Sequence, residues 1–189
     1  MSFLAILAAL GLALRILGMF LILLTIAYLL IAFLTGGPYV PLSPAELDAM
    51  LYLAKPQEGE LWIDLGSGTG WIGARAARHG ARSIGYEINP VLVLLNRLRI
   101  RLSGLAGRAE VRQANFWFTD LSKADVVSVY LITYRMPKLQ RKLAAELKPG
   151  SRVLSVQFPL PDWKPAGKLN NVYLYVVPDK RCQGSTYST

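Results

Sequence analysis

The chain has 189 residues, 53% of them hydrophobic, with 21 Lys and Arg against 12 Asp and Glu, for a formal charge of +9. That length suits one domain with a small appendage and is enough to bury a real core, which excludes a multidomain assembly. The single cysteine, Cys182 in a polar tail, excludes a disulfide frame and a cysteine-based metal site, and the single histidine, His79, falls at a helix end before Gly80, a surface or capping position.

Residues 3–34 carry one charge, Arg15, and the stretch from Ile16 to Leu34 has only Thr25 and Tyr28 as polar side chains. At about 1.5 Å of rise per residue this stretch covers roughly 28 Å, close to the ~30 Å hydrocarbon core of a bilayer. A cleaved signal peptide fits poorly: there is no basic n-region, the apolar run is too long, and no A-x-A site precedes Gly36. A buried soluble helix fits worse, because nothing else in so small a domain could cover it on all sides. Residues 1–35 therefore read as a membrane anchor, with Arg15 snorkelling to an interface. Residues 3–14 then lie along the membrane or extend a tilted span. One span and a re-entrant pair both remain open.

The Gly/Pro-rich break GGPYVPLSP (36–44) begins the soluble part. PAELDAMLYLA has helical spacing, with Ser43 as N-cap and Glu46 three residues on, a capping-box pattern, so 36–55 is a linker plus a helix. Strand-like and helix-like segments then alternate over 56–178. LWIDL (61–65) leads to a helix over 71–79. SIGYE (83–87) leads to a helix over 90–102 that opens on Pro90. AEVRQAN (109–115), ADVVSVYL (124–131), a helix over 137–147, SRVLSVQF (151–158) and NVYLYVV (171–177) follow, and 179–189 reads as a disordered tail. This alternation predicts an α/β, doubly wound Rossmann-like sheet, abbreviated by an antiparallel addition at its C-terminal end. In such sheets the ligand sits beyond the carboxyl ends of the strands.

The loop LWIDLGSGTGWIG (61–73) raises the question of ligand. Gly68, Gly70 and Gly73 match the dinucleotide pattern G-x-G-x-x-G, and a non-catalytic NAD-binding membrane module is one reading. Asp64 argues against it. A pyrophosphate wants bare amides at a helix N-terminus, and a carboxylate at the lip of the loop repels it. S-adenosylmethionine has no phosphate and presents an ammonium, a sulfonium and a carboxylate. An acid near the loop then attracts, and the backbone amides still hold the carboxylate. Glu87, 17 residues after Gly70, suits ribose hydroxyls of either ligand. Asn115 and Phe116 offer an amide for the adenine edge and a ring for its face. Three such residues in order at successive strand ends favour S-adenosylmethionine.

IDLGSGTG, GYEINP and NFW resemble the class I, seven-strand S-adenosylmethionine-dependent methyltransferases. PYVPLS, DLGSGTG, GYEINPVLVLLNRLR and FPLPDWKP together are similar to the small membrane-anchored protein-lysine methyltransferases of the ATP synthase c-subunit and the adenine nucleotide translocase. The likeness runs from about residue 38 to 178 and takes in the preceding apolar segment. DLGSG is generic to the superfamily, whereas GYEINP with FPLPxWxP is more specific. A weaker likeness to non-SET histone lysine methyltransferases shows in NFW.

The resemblance implies a methionine-side pocket at Asp64, Gly66, Ser67, Gly68 and Gly70, the ribose at Glu87, and the adenine at Asn115 with Phe116. Relatives usually carry Asp at the position of Asn115, and Asp-Gly-Arg where this chain has Thr69-Gly70-Trp71, which bears on substrate choice.

Methyl transfer from a sulfonium is an in-line displacement that needs alignment and a neutral amine, with no metal. An unperturbed lysine has a pKa of about 10.4, so its deprotonation at pH 7 costs roughly 4–5 kcal/mol. A desolvated aromatic channel beside a sulfonium lowers that pKa. Tyr39, Tyr134, Phe158 and Trp163 are candidate walls, with Tyr39 and Phe158 preferred because both lie in family-like segments. The fourth strand is followed by YLITYRMP, without the [DN]-P-P-[YF] of base-methylating enzymes.

The expected partners are a bilayer and a protein substrate, itself a membrane protein with an exposed lysine, because tethering raises the effective concentration of such a substrate. The donor is made in the cytosol, so the catalytic domain is expected on the cytoplasmic side, or the matrix side of a mitochondrial inner membrane in a eukaryote. The basic residues Arg97, Arg99, Arg101, Arg108 and Arg112, and Arg135 to Lys148, read first as faces lying beside anionic lipid. The alternative is an RNA groove and an RNA methyltransferase.

Overall fold

In the computed structural model, residues 3–35 and 40–178 are described, and the chain divides into two compact units between Tyr39 and Val40. The first 33 of these residues form one α-helix, α1 (Phe3–Thr35), which runs without interruption through Arg15. Its mean hydropathy over Ala5–Tyr28 is 2.5, and by length and composition it is long and apolar enough to cross a membrane. The Thr25 hydroxyl donates to the Leu21 carbonyl at 2.9 Å, so this polar side chain is satisfied within the helix itself. The expected linker residues 36–39 and the tail 179–189 lie outside the described residues.

The second unit opens with α2 (Pro44–Ala54), and the expected capping box is present: Ser43 accepts from the Glu46 amide while Glu46 accepts from the Ser43 amide. Five strands alternate with three helices, in the order β1 (Leu61–Leu65), α3 (Trp71–Arg78), β2 (Arg82–Glu87), α4 (Pro90–Leu102), β3 (Ala109–Gln113), β4 (Val126–Val129), α5 (Met136–Glu146) and β5 (Arg152–Val156). Two further strands, β6 (Gly167–Leu169) and β7 (Val172–Val176), complete a seven-stranded sheet ordered β3-β2-β1-β4-β5-β7-β6. β1 to β5 are parallel, and β7 and β6 run antiparallel to their neighbours.

The chain order reverses at β1, which lies between β2 and β4, so the carboxyl end of β1 is the topological switch where ligands bind. Hydrophobic layers pack both faces. One is built around Leu65, Val127, Val129, Leu139, Leu143 and Tyr175. The other includes Met50, Trp62, Ala76, Val126, Leu154 and Val172. No α-helix stands between β5 and β7, as the sequence predicts for an abbreviated end.

Two details differ from the sequence expectation. β3, β4 and β5 end two residues early, because Asn115, Leu131 and Phe158 have left the ladder to shape loops over the carboxyl edge. β6 is not among the strand segments read from the sequence, although the seven-strand resemblance implies one more. Its three residues are too few to show the alternation that marks a strand, and pairing with β7 supplies the order that propensity does not.

Candidate cofactor and acceptor site

Asp64 stands opposite Ser128 in the β1–β4 register, and a short polar relay fixes its side chain. The Trp62 indole N–H donates to Ser128 Oγ at 2.8 Å, and the Ser128 hydroxyl donates to Asp64 Oδ1 at 2.7 Å. Oδ2 of Asp64 is buried with no protein partner. Burial raises the Asp64 pKa from 3.8 to about 7; the Ser128 hydrogen bond opposes the rise and the Glu87 charge adds to it. Even with the Ser128 hydrogen bond, holding this carboxylate ionised in its buried place costs on the order of 4 kcal/mol. A buried carboxylate oxygen without a protein partner suits a ligand that brings a cationic donor.

The loop beyond β1 is shaped by its neighbours. The amides of Gly66 and Ser67 both donate to the Tyr86 carbonyl, at 2.9 and 3.0 Å, and the Gly70 amide closes a turn onto Ser67 O at 2.8 Å. Gly70 has φ +83°, and a Cβ there would lie 2.1 Å from Asn96 Oδ1. The Asn96 amide donates to Ser67 Oγ at 3.1 Å and to Gly68 O at 3.4 Å, so the loop rests on α4. Arg99, one turn further along α4, donates from Nε to Thr69 O at 2.7 Å, and its guanidinium lies 3.5 Å from the centre of the Trp71 ring. Asn96 and Arg99 were not expected. The available signal was Asn96 itself, a lone amide at the core-facing spacing 93, 96, 100 of an otherwise apolar helix face.

Glu87 closes β2 and is buried; its Oε2 accepts from the Gly68 amide and its Oε1 from the Asn89 amide, both at 2.8 Å. Each oxygen keeps a further lone pair for a ribose hydroxyl. Asn115 follows β3 and caps a 3-10 turn over 116–118, its Oδ1 accepting from the Trp117 amide at 3.1 Å. The Phe116 ring is only 8% exposed; it belongs to the core and packs on Trp117 at 4.8 Å between centroids. Asp64, the glycine loop, Glu87 and Asn115 thus stand at the carboxyl ends of the adjacent strands β1, β2 and β3.

The other half of that edge has a different make-up. A second 3-10 turn, over 133–135, follows β4 and carries Tyr134, and Lys138 Nζ lies 4.5 Å from the centre of the Trp117 ring. The Tyr130 hydroxyl donates to Gln157 Oε1, and Gln157 sits at φ +66°, an uncommon conformation for a residue with a side chain. Phe158 is half-buried next to it, packed against the core with Trp163. Tyr39, the other preferred wall residue, lies outside the described residues. Tyr130 and Gln157 escaped the sequence because their pairing joins residues 27 positions apart.

A family profile described as the ANTKMT methyltransferase domain matches residues 64–167. A "Protein-lysine N-methyltransferase" of Saccharolobus islandicus is 36% identical over 154 residues, covering 76% of this chain and 96% of that protein. The chain belongs to this methyltransferase family. A mouse member, a lysine N-methyltransferase named for the ATP synthase c-subunit, is 32% identical over 151 residues; the match covers 78% of this chain and 61% of the mouse protein's length. Among solved structures, an RNA methyltransferase from Salinibacter ruber in complex with S-adenosyl-L-homocysteine is 38% identical with a TM-score of 0.72, covering 75% of this chain and 95% of that one.

The chain is therefore an S-adenosylmethionine-dependent methyltransferase, and the NAD reading of the glycine loop is set aside. Gly73, the third glycine of that pattern, has a packing role instead: a Cβ there would lie 2.6 Å from Ser83 Oγ, so its bareness lets α3 approach β2.

Proposed function

We propose that this methyltransferase transfers a methyl group from S-adenosylmethionine to a lysine amine of a membrane protein, working from a bilayer into which α1 inserts. The observation that carries the donor side is the buried, unpartnered Oδ2 of Asp64 beside the glycine loop. It would accept from the ammonium of the methionine moiety, with the Gly66–Gly70 backbone around the carboxylate, Glu87 on the ribose and Asn115 at the adenine edge. Phe116 contributes to the adenine pocket chiefly by holding Trp117 in place. Bound S-adenosylmethionine supplies a methyl group activated by its sulfonium. The protein supplies position and exclusion of water. A lysine entering over the carboxyl ends of β4 and β5, past Tyr130, Tyr134 and Phe158, leaves water for an aromatic rim, and burial shifts it toward the neutral amine that attacks.

The lysine acceptor is supported by the names of the relatives, from Saccharolobus islandicus and mouse alike. The membrane setting is supported by the length and composition of α1. The donor's source in the cytosol supports a catalytic unit facing that compartment or its organellar equivalent. A second reading, RNA as acceptor, is favoured by the +9 charge and by the activity named for the Salinibacter ruber structure.

The test supplies methyl-labelled S-adenosylmethionine and purified protein to membranes and RNA from a strain lacking the enzyme, with Asp64→Ala as control. Label recovered as methyl-lysine in a membrane protein, and absent with the control, is the expected result. Label in RNA overturns the lysine reading in favour of the second.

A further inference from the structure

Only one side of α4 is covered by the catalytic unit. Val93, Asn96 and Ile100 face the interior. On the opposite side Val91, Leu94, Leu95, Leu98 and Leu102 are between 45% and 79% exposed. At 100° per residue these five fall in an arc of roughly 100° centred opposite the buried three. A surface helix ordinarily turns charged and polar groups to that side, and a continuous row of large aliphatic side chains there marks a contact surface.

The chemistry of the row's borders indicates its occupant. Arg97 and Arg101 line one edge of the stripe, Arg99 stands at the other, and α4 has no acidic residue. Neither Arg97 nor Arg101 is in a salt bridge among the described residues. An aliphatic stripe edged by arginines complements a bilayer surface with anionic headgroups, where the aliphatic groups reach the acyl boundary and the guanidiniums stay with phosphate. The same chain carries α1, which is long and apolar enough to enter that bilayer.

We propose that the outer face of α4 is an interfacial membrane-docking surface, with Val91, Leu94, Leu95, Leu98 and Leu102 inserted below the headgroups of an anionic bilayer and Arg97 and Arg101 bound to them. This inference rests on the membrane setting proposed above and not on the identity of the acceptor. It has a consequence for the site. α4 begins three residues after Glu87, so docking through Val91 brings the cofactor loop and its rim to headgroup level. A lysine just outside the hydrocarbon core is then within reach, and one deep in solution is not.

The experiment uses the full chain with Cys182→Ser and a single fluorophore at Leu98→Cys or, as reference, Tyr52→Cys on α2, which is also exposed. Each protein is reconstituted into phosphatidylglycerol-containing and phosphatidylcholine vesicles and quenched by aqueous iodide or by acyl-chain nitroxide lipid. The inference expects the Leu98 label to lose about threefold or more of its iodide quenching on anionic vesicles, to gain nitroxide quenching, and to differ from the Tyr52 label in both. Arg97→Gln with Arg101→Gln weakens docking about fivefold per arginine, read as iodide access returning at moderate salt.

Protection from both quenchers means that protein covers the stripe, whether α1, a second copy or another chain, and overturns the inference. Free iodide access in protein that still floats with vesicles also overturns it while leaving the anchor intact. Protein that does not float defeats the anchor and the inference together. Nitroxide contact without methyl transfer to protein leaves the inference standing and defeats only the lysine reading. Binding of S-adenosylhomocysteine by each labelled protein verifies its fold.

Discussion

Along the carboxyl ends of β1 and β2, loop and side chains hold one another, with Gly68 on Glu87, Ser67 on Asn96, Thr69 on Arg99 and Asp64 on Ser128. At the ends of β4 and β5 aromatic side chains stand out instead: Tyr130 on Gln157, Lys138 over Trp117, and Phe158 half-buried at the corner. The first region is preorganised for one small molecule, with one buried carboxylate oxygen, Asp64 Oδ2, unpartnered among the described residues. The second leaves half-exposed rings over which a larger acceptor can settle. The proposed reaction needs both, because its donor is invariant and its proposed acceptor is part of a macromolecule.

If that contrast is right, damage to the first region abolishes donor binding and damage to the second spares it. The largest effect is expected from Gly70→Ala. The new methyl group meets Asn96 at 2.1 Å and the backbone stays at a left-handed φ, so the loop must leave α4. We expect a loss of about 3 kcal/mol in stability and no measurable S-adenosylhomocysteine binding, followed by thermal denaturation and calorimetry. Asp64→Ala is next. It keeps the fold but removes the proposed ammonium acceptor, and affinity should fall by about 100-fold or more.

The pH dependence sharpens the same point. Asp64 titrates near 7 in the folded protein against 3.8 for an ordinary aspartate. Between these values the folded state binds more protons than the unfolded state, so the free enzyme loses stability from this group as pH rises from about 4 to about 7, and no further above that. The ligand's ammonium pairs with the ionised form. S-adenosylhomocysteine affinity should therefore rise about tenfold per pH unit up to about 7 and then level off. In Asp64→Asn the profile should be flat over the same range.

How far the sequence reveals this contrast depends on distance along the chain. Asp64, Gly66, Gly68 and Gly70 are legible because one strand and one turn place them, and Glu87 because it closes the next strand. Asn96 and Arg99 act on the loop only because α4 folds back under it, 28 to 30 residues later. Phe116 is legible as an aromatic at the right strand end, but its burial depends on joining a core cluster drawn from distant parts of the chain, which local pattern does not encode. The α4 stripe is hidden for a similar reason. PVLVLLNRLRIRL has aliphatics on both sides, and only the sheet decides which side faces out. Arg99→Gln tests this long-range support: losing the bond to Thr69 and the stack on Trp71 should cost about 1 kcal/mol of donor binding, about fivefold in calorimetry.

A change of similar size is expected in the second region, and it is the one that separates the two halves. Phe158→Leu keeps an apolar side chain against the core but removes the ring from the corner beside Gln157. S-adenosylhomocysteine affinity should stay within error, since the hydrogen bonds that hold the loop, Asp64 and Glu87 run to Tyr86, Asn96, Arg99, Ser128 and Asn89 and not to Phe158. If the ring helps to align the acceptor, kcat/KM for the methylated macromolecule should fall about fivefold, because lost alignment appears only once both partners are bound. A fall in donor affinity would instead mean that the two ends of the sheet are mechanically coupled, and that the division between a rigid donor pocket and an adaptable acceptor rim is wrong. Unchanged donor binding and unchanged kcat/KM would place the acceptor elsewhere along the rim, with Tyr130 and Tyr134 the next positions to vary.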